Sequence, residues 1–401
     1  MSEFFQYYGN SAVSAGDDAA ARFGAAQAEQ VLRFHESLPG YRPTELRRLD
    51  GLAGALGVAG IYVKDESSRF GLNAFKALGG SWSVGRLLAE RAGIDPAELT
   101  FQRLLRPDVR AAAEGLTLVT ATDGNHGRGV AWTARALGLK AVVYLPQGSA
   151  LERLRSIQAL GAEAEIVPMN YDDAVRLAAR HAEERGWVLV QDTAWEGYEK
   201  IPEWIMQGYT TMALEIARQL GDETPTHIFL QAGVGAMAGA LTGFFADYYR
   251  ERKPAIVIVE PNGAGCVFRT VSAEDGQIHT VRELRTIMAG LCCGEPCTIG
   301  LEMLRRYADC FVTVPDWVAS KGMRVLASPV GGDAPIVSGE SGAVTAGLLA
   351  ELMGSDDFHI LRGALGLKAG SRVLCVSTEG DTDRENYRRI VWDGACPRPE
   401  L

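Results

Sequence analysis

The chain has little basic charge for its size, no long apolar run and few histidines. Its 50 aspartate and glutamate residues outnumber its 40 lysine and arginine residues, which gives a net charge of −10. An acidic surface argues against nucleic acid or an anionic membrane as the main partner. No apolar stretch reaches the roughly 18 residues of a bilayer-spanning helix. The first twenty residues also lack the basic start and apolar run of a secretory signal. We therefore expect a cytoplasmic protein with a small-molecule partner.

The seven cysteines lack the spacing of a metal site. Cys292, Cys293 and Cys297 cluster in CCGEPC, but no histidine lies at a ligand spacing and no second CxxC pair occurs. The pattern favours buried thiols and no metal. A bridge from Cys266 to Cys292 or Cys293 stays open, since sequence does not establish it. The phosphate loop G-x4-G-K-[ST] is also absent, which disfavours ATP hydrolysis.

Short β-branched apolar runs alternate with helical patterns from about residue 60 onward. The strand-like runs are IYVKDES, LTLVTA, KAVVYLP, AEAEIVP, WVLVQD, THIFLQAG, AIVIVEP and SRVLCVS. This alternation predicts parallel sheets covered by helices on both faces, and the number of strands favours two sheets over one. Residues 91–115 read as a charged, partly helical connector that marks a crossing into a second domain.

Loops that follow parallel strands are the expected ligand sites, and the richest in glycine is QAGVGAMAGA, 231–240. Its glycines allow successive backbone N–H groups to face an anion at the start of the next helix, which predicts a phosphate site. The same run also fits the dinucleotide fingerprint G-x-G-x-x-G/A, with Glu260 ending the next strand about twenty residues on. A nicotinamide dinucleotide is therefore an alternative at this point.

Two more loops after strands carry polar side chains. In TATDGNHGRGVAW, 120–132, Asp123 and Asn125 stand among glycines, a pattern typical of ligand-binding loops, although either residue could cap the following helix. After the strand VLCV, Ser377 and Thr378 stand where a hydroxyl would face a ligand. These two loops predict polar contacts around a bound small molecule.

Lys76 lies in LNAFKALGG, between Phe75 and an apolar stretch that ends in two glycines. Burial would lower the pKa of this lysine and make its neutral amine available as a nucleophile or base. A buried lysine, a phosphate site and a hydroxyl–amide pair together predict pyridoxal 5′-phosphate as the cofactor. The lysine would form the imine, Asn125 would contact the phenolic oxygen, and a hydroxyl would meet the pyridine nitrogen. A nicotinamide dinucleotide would need no such lysine.

Longer motifs extend this interpretation to a family. KDES, GLNAFKALGG, the GNHG loop and GVGAMAG resemble the fold type II, tryptophan-synthase β-like pyridoxal-phosphate enzymes. From about residue 30 to the C-terminus, the chain resembles the diaminopropionate ammonia-lyases more narrowly, through ATDGNHGRGVAW, DTAWEGYEKIPEWIMQGYTTM, IMAGLCCGEP and STEGDTDRENYRRIVWDG. Serine or threonine dehydratases of the same fold are the alternative.

The resemblance implies an α/β fold with two open, twisted, mostly parallel sheets flanked by helices, in a large and a small domain. We assign 1–86 and 226–401 to the large domain and 87–225 to the small domain. It also implies a homodimer that breaks down 2,3-diaminopropionate, both L and D, to pyruvate and two ammonia molecules. The cofactor-binding residues that it implies are Lys76, Phe75, Asn125, Gly233, Val234, Gly235, Ala236, Met237 and Thr378 or Ser377, with Thr378 favoured.

The substrate carries a second ammonium on its β-carbon, so its site needs acidic groups. Asp123 replaces the small neutral residue that usually precedes GNH in the dehydratases, and Asp192 in VLVQDTAW is the second candidate. An unpaired carboxylate in a closed pocket is costly, and a cationic substrate removes that cost. For Asp192, a helix cap or a bridge to an arginine is the alternative. We expect Lys76 to remove the α-proton of the L isomer and Asp123 that of the D isomer.

One further glycine-rich segment, SPVGGDAPIVSGESGAVTAG at 328–347, lies late in the chain. It is a candidate lid over the site, because closure would exclude water from a carbanion-like species. Ser338, Glu340 and Ser341 would then contact the substrate. The alternative is a tight loop before the helix AVTAGLLAELM.

Overall fold

The computed structural model describes residues 5–14 and 17–399. Within these ranges the chain forms two separate β-sheets flanked by helices. No helix of the described residues is long and apolar enough to cross a membrane. The α/β fold with two sheets, which the alternating pattern predicts, is confirmed.

The sheets have seven and four strands. The strands are β1 (Gln6–Gly9), β2 (Glu45–Arg48), β3 (Gly60–Asp65), β4 (Thr117–Ala121), β5 (Lys140–Leu145), β6 (Glu163–Ile166), β7 (Val188–Leu189), β8 (His227–Gln231), β9 (Ala255–Pro261), β10 (Cys310–Val314) and β11 (Arg372–Ser377). The larger sheet has the order β1-β10-β9-β8-β11-β3-β2, and only its two edge strands, β1 and β2, run antiparallel to their neighbours. The smaller sheet has the order β6-β5-β4-β7 and is parallel throughout.

Helices connect these strands along most of the described chain. They are α1 (Asp18–Ala21), α2 (Ala25–Glu36), α3 (Asp50–Leu56), α4 (Ala77–Ala92), α5 (Phe101–Leu104), α6 (Pro107–Ala112), α7 (Asn125–Leu137), α8 (Leu151–Gln158), α9 (Tyr171–Arg185), α10 (Lys200–Leu220), α11 (Ala236–Tyr249), α12 (Cys266–Ser272), α13 (Thr298–Tyr307), α14 (Asp316–Ala327), α15 (Glu340–Gly354), α16 (His359–Ala364) and α17 (Arg384–Val391). Short 3₁₀ turns add Glu66–Gly71, Pro96–Glu98, Arg250–Arg252, Asn262–Ala264, Ala289–Leu291 and Asp356–Phe358.

All eight strand-like runs of the sequence form strands. The strands β1, β2 and β10 were not predicted from the sequence. β1 and β2 are four-residue edge strands with largely exposed residues, so they carry no apolar run to recognise. β10 is buried, but its short run CFVTV alone does not distinguish a strand from a helix segment. The connector 91–115 is partly helical, as predicted, and contains α5 and α6.

The two sheets draw on different parts of the chain. The strands of the smaller sheet lie within 117–189, and those of the larger sheet lie before residue 66 and after residue 226. Residue 86 lies inside α4, so the boundary between 86 and 87 crosses a helix. The domain division at 86 and 226 stays a prediction.

Close helix contacts place Lys76 at the start of α4. A Cβ added at Gly208 in α10 would lie 2.5 Å from the carbonyl oxygen of Leu78 in α4. A Cβ added at Gly129 in α7 would lie 2.9 Å from the backbone nitrogen of Ala77. Such distances do not admit a side chain, so α10 and α7 contact the backbone of α4 directly. The first turn of α4, which follows Lys76, is thereby held against two other helices.

Candidate active site

The carboxyl ends of strands from both sheets surround one cleft of about 620 Å³. Its walls come from the loops after β4, β7, β8 and β11 and from the turn before α4, as expected for a ligand site in parallel sheets. It is lined by Phe75, Lys76, Asp123, Asn125, Tyr171, Asp192, Gln231 to Ala238, Gly290, Leu291, Cys293, Ser341, Thr378 and Glu379. Of the predicted site residues, only Ser338, Glu340 and Ser377 do not line this cleft.

Lys76 is largely buried, with 17% of its side chain exposed, and forms an ion pair with Asp192. The expectation of a lowered pKa and a neutral amine at Lys76 is wrong in this structure, because the pKa is raised. Burial does act to lower it, but the negative charge of Asp192 and smaller contributions from Tyr209 and Asp123 outweigh that effect. The amine is therefore a protonated ammonium that must lose its proton before it reacts.

Asp192 is almost fully buried beside this lysine. Its Oδ1 accepts hydrogen bonds from the Tyr171 hydroxyl at 3.4 Å and from Nε2 of Gln191 at 3.2 Å, and its Oδ2 lies 3.7 Å from Nδ1 of His126. Burial acts to raise the pKa of Asp192, but His126 and Lys76 lower it to about 2. Within the part of the chain that the structure describes, Asp192 therefore neither caps a helix nor binds an arginine. Its carboxylate is a charged group of the cleft.

Asp123 lies at the cleft after β4. Its Oδ2 is buried, accepts no hydrogen bond and lies 3.5 Å from Nη1 of Arg153. The N-cap of α7 is Gly124 and no side chain caps it, so Asp123 and Asn125 are not helix caps. Both acidic residues have a cationic partner, Lys76 for Asp192 and Arg153 for Asp123. The expectation of unpaired carboxylates is therefore wrong.

Asn125 begins α7 and lines the cleft. Its amide nitrogen donates a hydrogen bond of 2.6 Å to Oε2 of Glu379, which also accepts from the Thr382 hydroxyl at 3.0 Å. The backbone nitrogen of Ser341 donates to the other oxygen, Oε1, at 3.3 Å. An amide nitrogen has two protons, so the second proton of Asn125 is available to an acceptor in the cleft.

The glycine loop from Gly233 to Met237 lies at the beginning of α11. Its helix N-cap is Gly235, at φ +88°, and no side chain caps the helix. A Cβ added at Gly233 would lie 3.0 Å from the carbonyl oxygen of Gly290, so a side chain would crowd this loop. An uncapped helix N-terminus that faces a cleft is suited to bind an anion such as phosphate.

Glu260, the residue that a dinucleotide site would use for a ribose hydroxyl, is engaged elsewhere. Its carboxylate accepts the backbone N–H groups of Val267 at 2.9 Å and Phe268 at 2.6 Å at the start of α12. Burial raises the pKa of Glu260 to about 8. Glu260 does not line the cleft, which removes the support for the nicotinamide alternative.

The two hydroxyls after β11 have different surroundings. Thr378 lines the cleft, and its Oγ1 accepts a hydrogen bond of 3.1 Å from Nε2 of Gln231. Because an amide nitrogen only donates, the hydroxyl proton of Thr378 is free for another acceptor. The Ser377 hydroxyl is fully buried and bonds to the Ser338 hydroxyl at 2.8 Å. The geometry thus favours Thr378 over Ser377 as the group that faces the cleft.

The segment 328–347 divides into two parts. Asp333 accepts from the backbone nitrogens of Gly51 and Leu52 at 2.9 and 2.8 Å, which attaches the first part to α3. The second part reaches the cleft at Ser341, whose hydroxyl accepts from the backbone nitrogen of Gly290 at 3.1 Å.

Ser338 and Glu340 lie outside the cleft proper. Ser338 is fully buried. Glu340 lines a neighbouring cavity of about 990 Å³, which also adjoins Asp123, and accepts a hydrogen bond from Asn386. Burial and the nearby charge of Glu379 raise the pKa of Glu340 to about 7. Substrate contact by Ser338 and Glu340 stays a prediction.

All seven cysteines are free thiols in the structure, and five of them are buried. Cys293 lines the cleft, and burial raises its pKa well above the ordinary value. The Cys266 thiol lies 3.5 Å from the carbonyl oxygen of Gly233. Among the described residues, no group of histidines, cysteines and carboxylates could hold a metal ion.

Several residues that line the cleft were not predicted from the sequence. Glu379 directly follows Thr378 in STEGD, so its place after β11 was the signal that could have identified it. Gln231 ends β8, beside the glycine loop, so its position at a strand end was the signal that could have identified it. Tyr171 begins α9 in a sequence without any ligand-binding pattern. Its approach to Asp192 depends on the folded arrangement of the smaller sheet.

Comparison with known proteins agrees with this geometry. The family model "Pyridoxal-phosphate dependent enzyme" matches residues 37–379. A diaminopropionate ammonia-lyase of Salmonella typhimurium is 51% identical over 370 residues, which cover 91% of this chain and 92% of the relative. The chain belongs to the diaminopropionate ammonia-lyase family of pyridoxal-phosphate dependent enzymes.

Crystal structures of a diaminopropionate ammonia-lyase from Escherichia coli have the same fold. One, in complex with an aminoacrylate-PLP azomethine reaction intermediate, is 47% identical, with a TM-score of 0.90 and coverage of 98% of both chains. Another, in complex with D-serine, is 48% identical, with a TM-score of 0.91 and the same coverage. The fold type II prediction is therefore confirmed, and the dehydratase alternative is not favoured.

The cofactor of this family is pyridoxal phosphate, and the cleft residues fit it. The uncapped glycine loop at α11 suits the phosphate, and Lys76 offers the amine for covalent attachment. The free amide proton of Asn125 and the free hydroxyl proton of Thr378 suit two acceptors of the ring. These assignments of single residues to parts of the cofactor stay predictions.

Proposed function

We propose that this protein is a carbon–nitrogen lyase that converts 2,3-diaminopropionate, in its L and D forms, to pyruvate and two ammonia molecules. The observation that carries the proposal is a pair of carboxylates, Asp123 and Asp192, on the same cleft as Lys76. Lys76 and Arg153 balance these two carboxylates, but covalent attachment of the cofactor would take the Lys76 ammonium away from Asp192. A substrate with a second ammonium group matches the negative charge that is left, whereas a hydroxyl-bearing amino acid does not. Membership of the diaminopropionate ammonia-lyase family supports the same substrate.

Bound pyridoxal phosphate supplies an electron sink that stabilises negative charge on the substrate's α-carbon. The glycine loop, Asn125 and Thr378 hold and orient it. The reaction breaks the Cα–H and Cβ–N bonds of the substrate, and one water molecule is consumed when pyruvate and the second ammonia are formed. Pyruvate and ammonia can each be measured.

Lys76 attaches to the cofactor through its neutral amine, after the ammonium has lost its proton, and the same neutral amine accepts the α-proton of the L isomer. The D isomer presents its α-proton to the opposite face, where a second base is needed. Asp123 is that base, since its buried Oδ2 accepts no hydrogen bond from the described residues. Asp192 attracts the β-ammonium of the substrate, and Ser341, which also lines the cleft, contacts the substrate.

The proposal predicts a substrate preference. Pyruvate is expected from L- and D-diaminopropionate, with kcat/KM at least about tenfold higher than for L-serine, because each retained charge contact contributes about 1 kcal/mol or more. The assay measures pyruvate, and 2-oxobutyrate for L-threonine as comparison. Activity on serine and threonine alone would agree with pyridoxal phosphate as the cofactor. It would contradict the proposal that Asp123 and Asp192 select the β-ammonium of the substrate.

We also propose that the protein works as a homodimer in the cytoplasm, as the family resemblance and the acidic composition suggest. Sedimentation equilibrium is expected to give about twice the chain mass of 43.1 kDa. A mass of one chain over the micromolar range would contradict the dimer.

A further inference from the structure

Arg153 is a buried arginine with no assigned role in the elimination reaction. It belongs to α8, and only 5% of it is exposed. It lies where the cleft meets the neighbouring cavity of about 990 Å³, which Asp123, Arg153 and Glu340 line together. A buried guanidinium needs partners, and those partners indicate what it does.

The guanidinium contacts Asp123 at two places. Nη1 donates to the backbone carbonyl oxygen of Asp123 at 3.1 Å and lies 3.5 Å from its carboxylate Oδ2. Nη2 donates to the Thr382 hydroxyl at 3.3 Å, and that hydroxyl donates to Glu379, which binds Asn125. Arg153 therefore restrains both the main chain and the side chain of Asp123 and joins it to the loop after β11.

Gly124 leaves the space that Arg153 occupies. A Cβ added there would lie 2.9 Å from Cδ of Arg153, and the φ of Gly124 is +143°. A side chain at this position would push the arginine away from the cleft and strain the backbone. Gly124 therefore leaves room for Arg153 and also allows the backbone to turn into α7.

The arginine keeps its charge at this buried position. Burial acts to lower the pKa of Arg153, but the carboxylates of Glu379, Asp123, Glu340 and Asp383 raise it above the ordinary value. A permanent cation beside Asp123 supplies the positive charge that holds this carboxylate in place.

We propose that Arg153 is a positioning residue that holds the Asp123 carboxylate at the cleft, so that the D isomer depends on it and the L isomer does not. The inference rests on the proposed function, in which Asp123 is the base for the D isomer. Lys76 is paired with Asp192, and among the described residues Arg153 makes no hydrogen bond or ion pair with either of them. The link from Arg153 through Thr382 and Glu379 to Asn125 serves both isomers alike, so the D-to-L ratio reports the contact with Asp123.

Arg153→Met and Arg153→Lys test this role. Without the fork-shaped guanidinium, Asp123 is free to move, and displacement by about 1 Å can cost on the order of a hundredfold in rate. We expect kcat for D-diaminopropionate to fall at least about tenfold in Arg153→Met, with kcat for the L isomer within about twofold of the parent. KM should change little, and Arg153→Lys should recover part of the loss.

A double-mutant cycle separates positioning from a structural role. In the Asp123→Asn background, Arg153→Met should cause no further loss with the D isomer, since residues that act as a unit are not additive. Arg128→Met is the matched control: it removes the same charge from α7, and among the described residues Arg128 makes no hydrogen bond or ion pair with Asp123. This control should leave the D-to-L ratio unchanged. Thermal unfolding midpoints show whether each variant is folded.

Equal losses for both isomers, no loss, or a D-selective loss that persists without Asp123 would overturn the inference and leave the proposed function intact. If Asp123→Asn itself affects both isomers equally, the assignment of Asp123 as the second base fails, and the inference falls with it. The two failures are therefore distinguishable from one set of kinetic measurements.

Discussion

Replacing Lys76 with alanine is expected to lower turnover of L-diaminopropionate by at least roughly a thousandfold, since it removes both the covalent attachment point and the proton acceptor. The Lys76 amine is the cleft group paired with Asp192, and it lies immediately before α4. Pyruvate release measures the loss. Borohydride treatment followed by peptide mass spectrometry should find the cofactor on Lys76 in the parent protein and on no residue of the variant.

Lys76→Arg is the matched control, because it keeps a cation beside Asp192. The alanine variant leaves an almost fully buried carboxylate without its cation, which typically costs about 3–5 kcal/mol. The alanine variant is therefore expected to unfold at a lower temperature than the arginine variant, while both are inactive. Turnover within tenfold of the parent in either variant would show that Lys76 does not carry the reaction.

Asp123→Asn is expected to lower kcat for D-diaminopropionate by about a hundredfold to ten-thousandfold, the usual contribution of a general base. The L isomer should lose no more than about tenfold, because it loses only one charge contact to the β-ammonium. Asparagine keeps the size of the side chain, so the change removes the charge and the proton acceptor rather than the packing. Steady-state kinetics on the two separate isomers measure both effects.

Asp192→Asn is the comparison for this second experiment, since Asp192 is the other carboxylate of the cleft. It contacts Lys76 directly, so its loss should affect both isomers to a similar degree. A D-to-L ratio that stays constant in Asp123→Asn would rule out the two-base mechanism. If the D-to-L ratio changes in Asp192→Asn and not in Asp123→Asn, Asp192 rather than Asp123 is the base for the D isomer.

The sequence by itself was enough for the fold class, the cofactor and most of the cleft. The loops with Asp123, Asn125, the glycines from Gly233 and Thr378 each follow a strand that can be recognised locally. Because parallel strands present their carboxyl ends at one edge of a sheet, placing these residues after strands also placed them near a ligand. Lys76 was recognisable from its apolar neighbours and the following glycines.

Only the tertiary structure decided how these groups act on one another. The partner of Lys76 is 116 residues away in sequence, and the resulting ion pair reverses the direction in which burial alone would move the pKa. Arg153 beside Asp123 and Glu379 beside Asn125 likewise come from separate elements. A pKa and a hydrogen-bond network depend on which charges lie within a few ångströms in a dry interior, and no local pattern of residues specifies that.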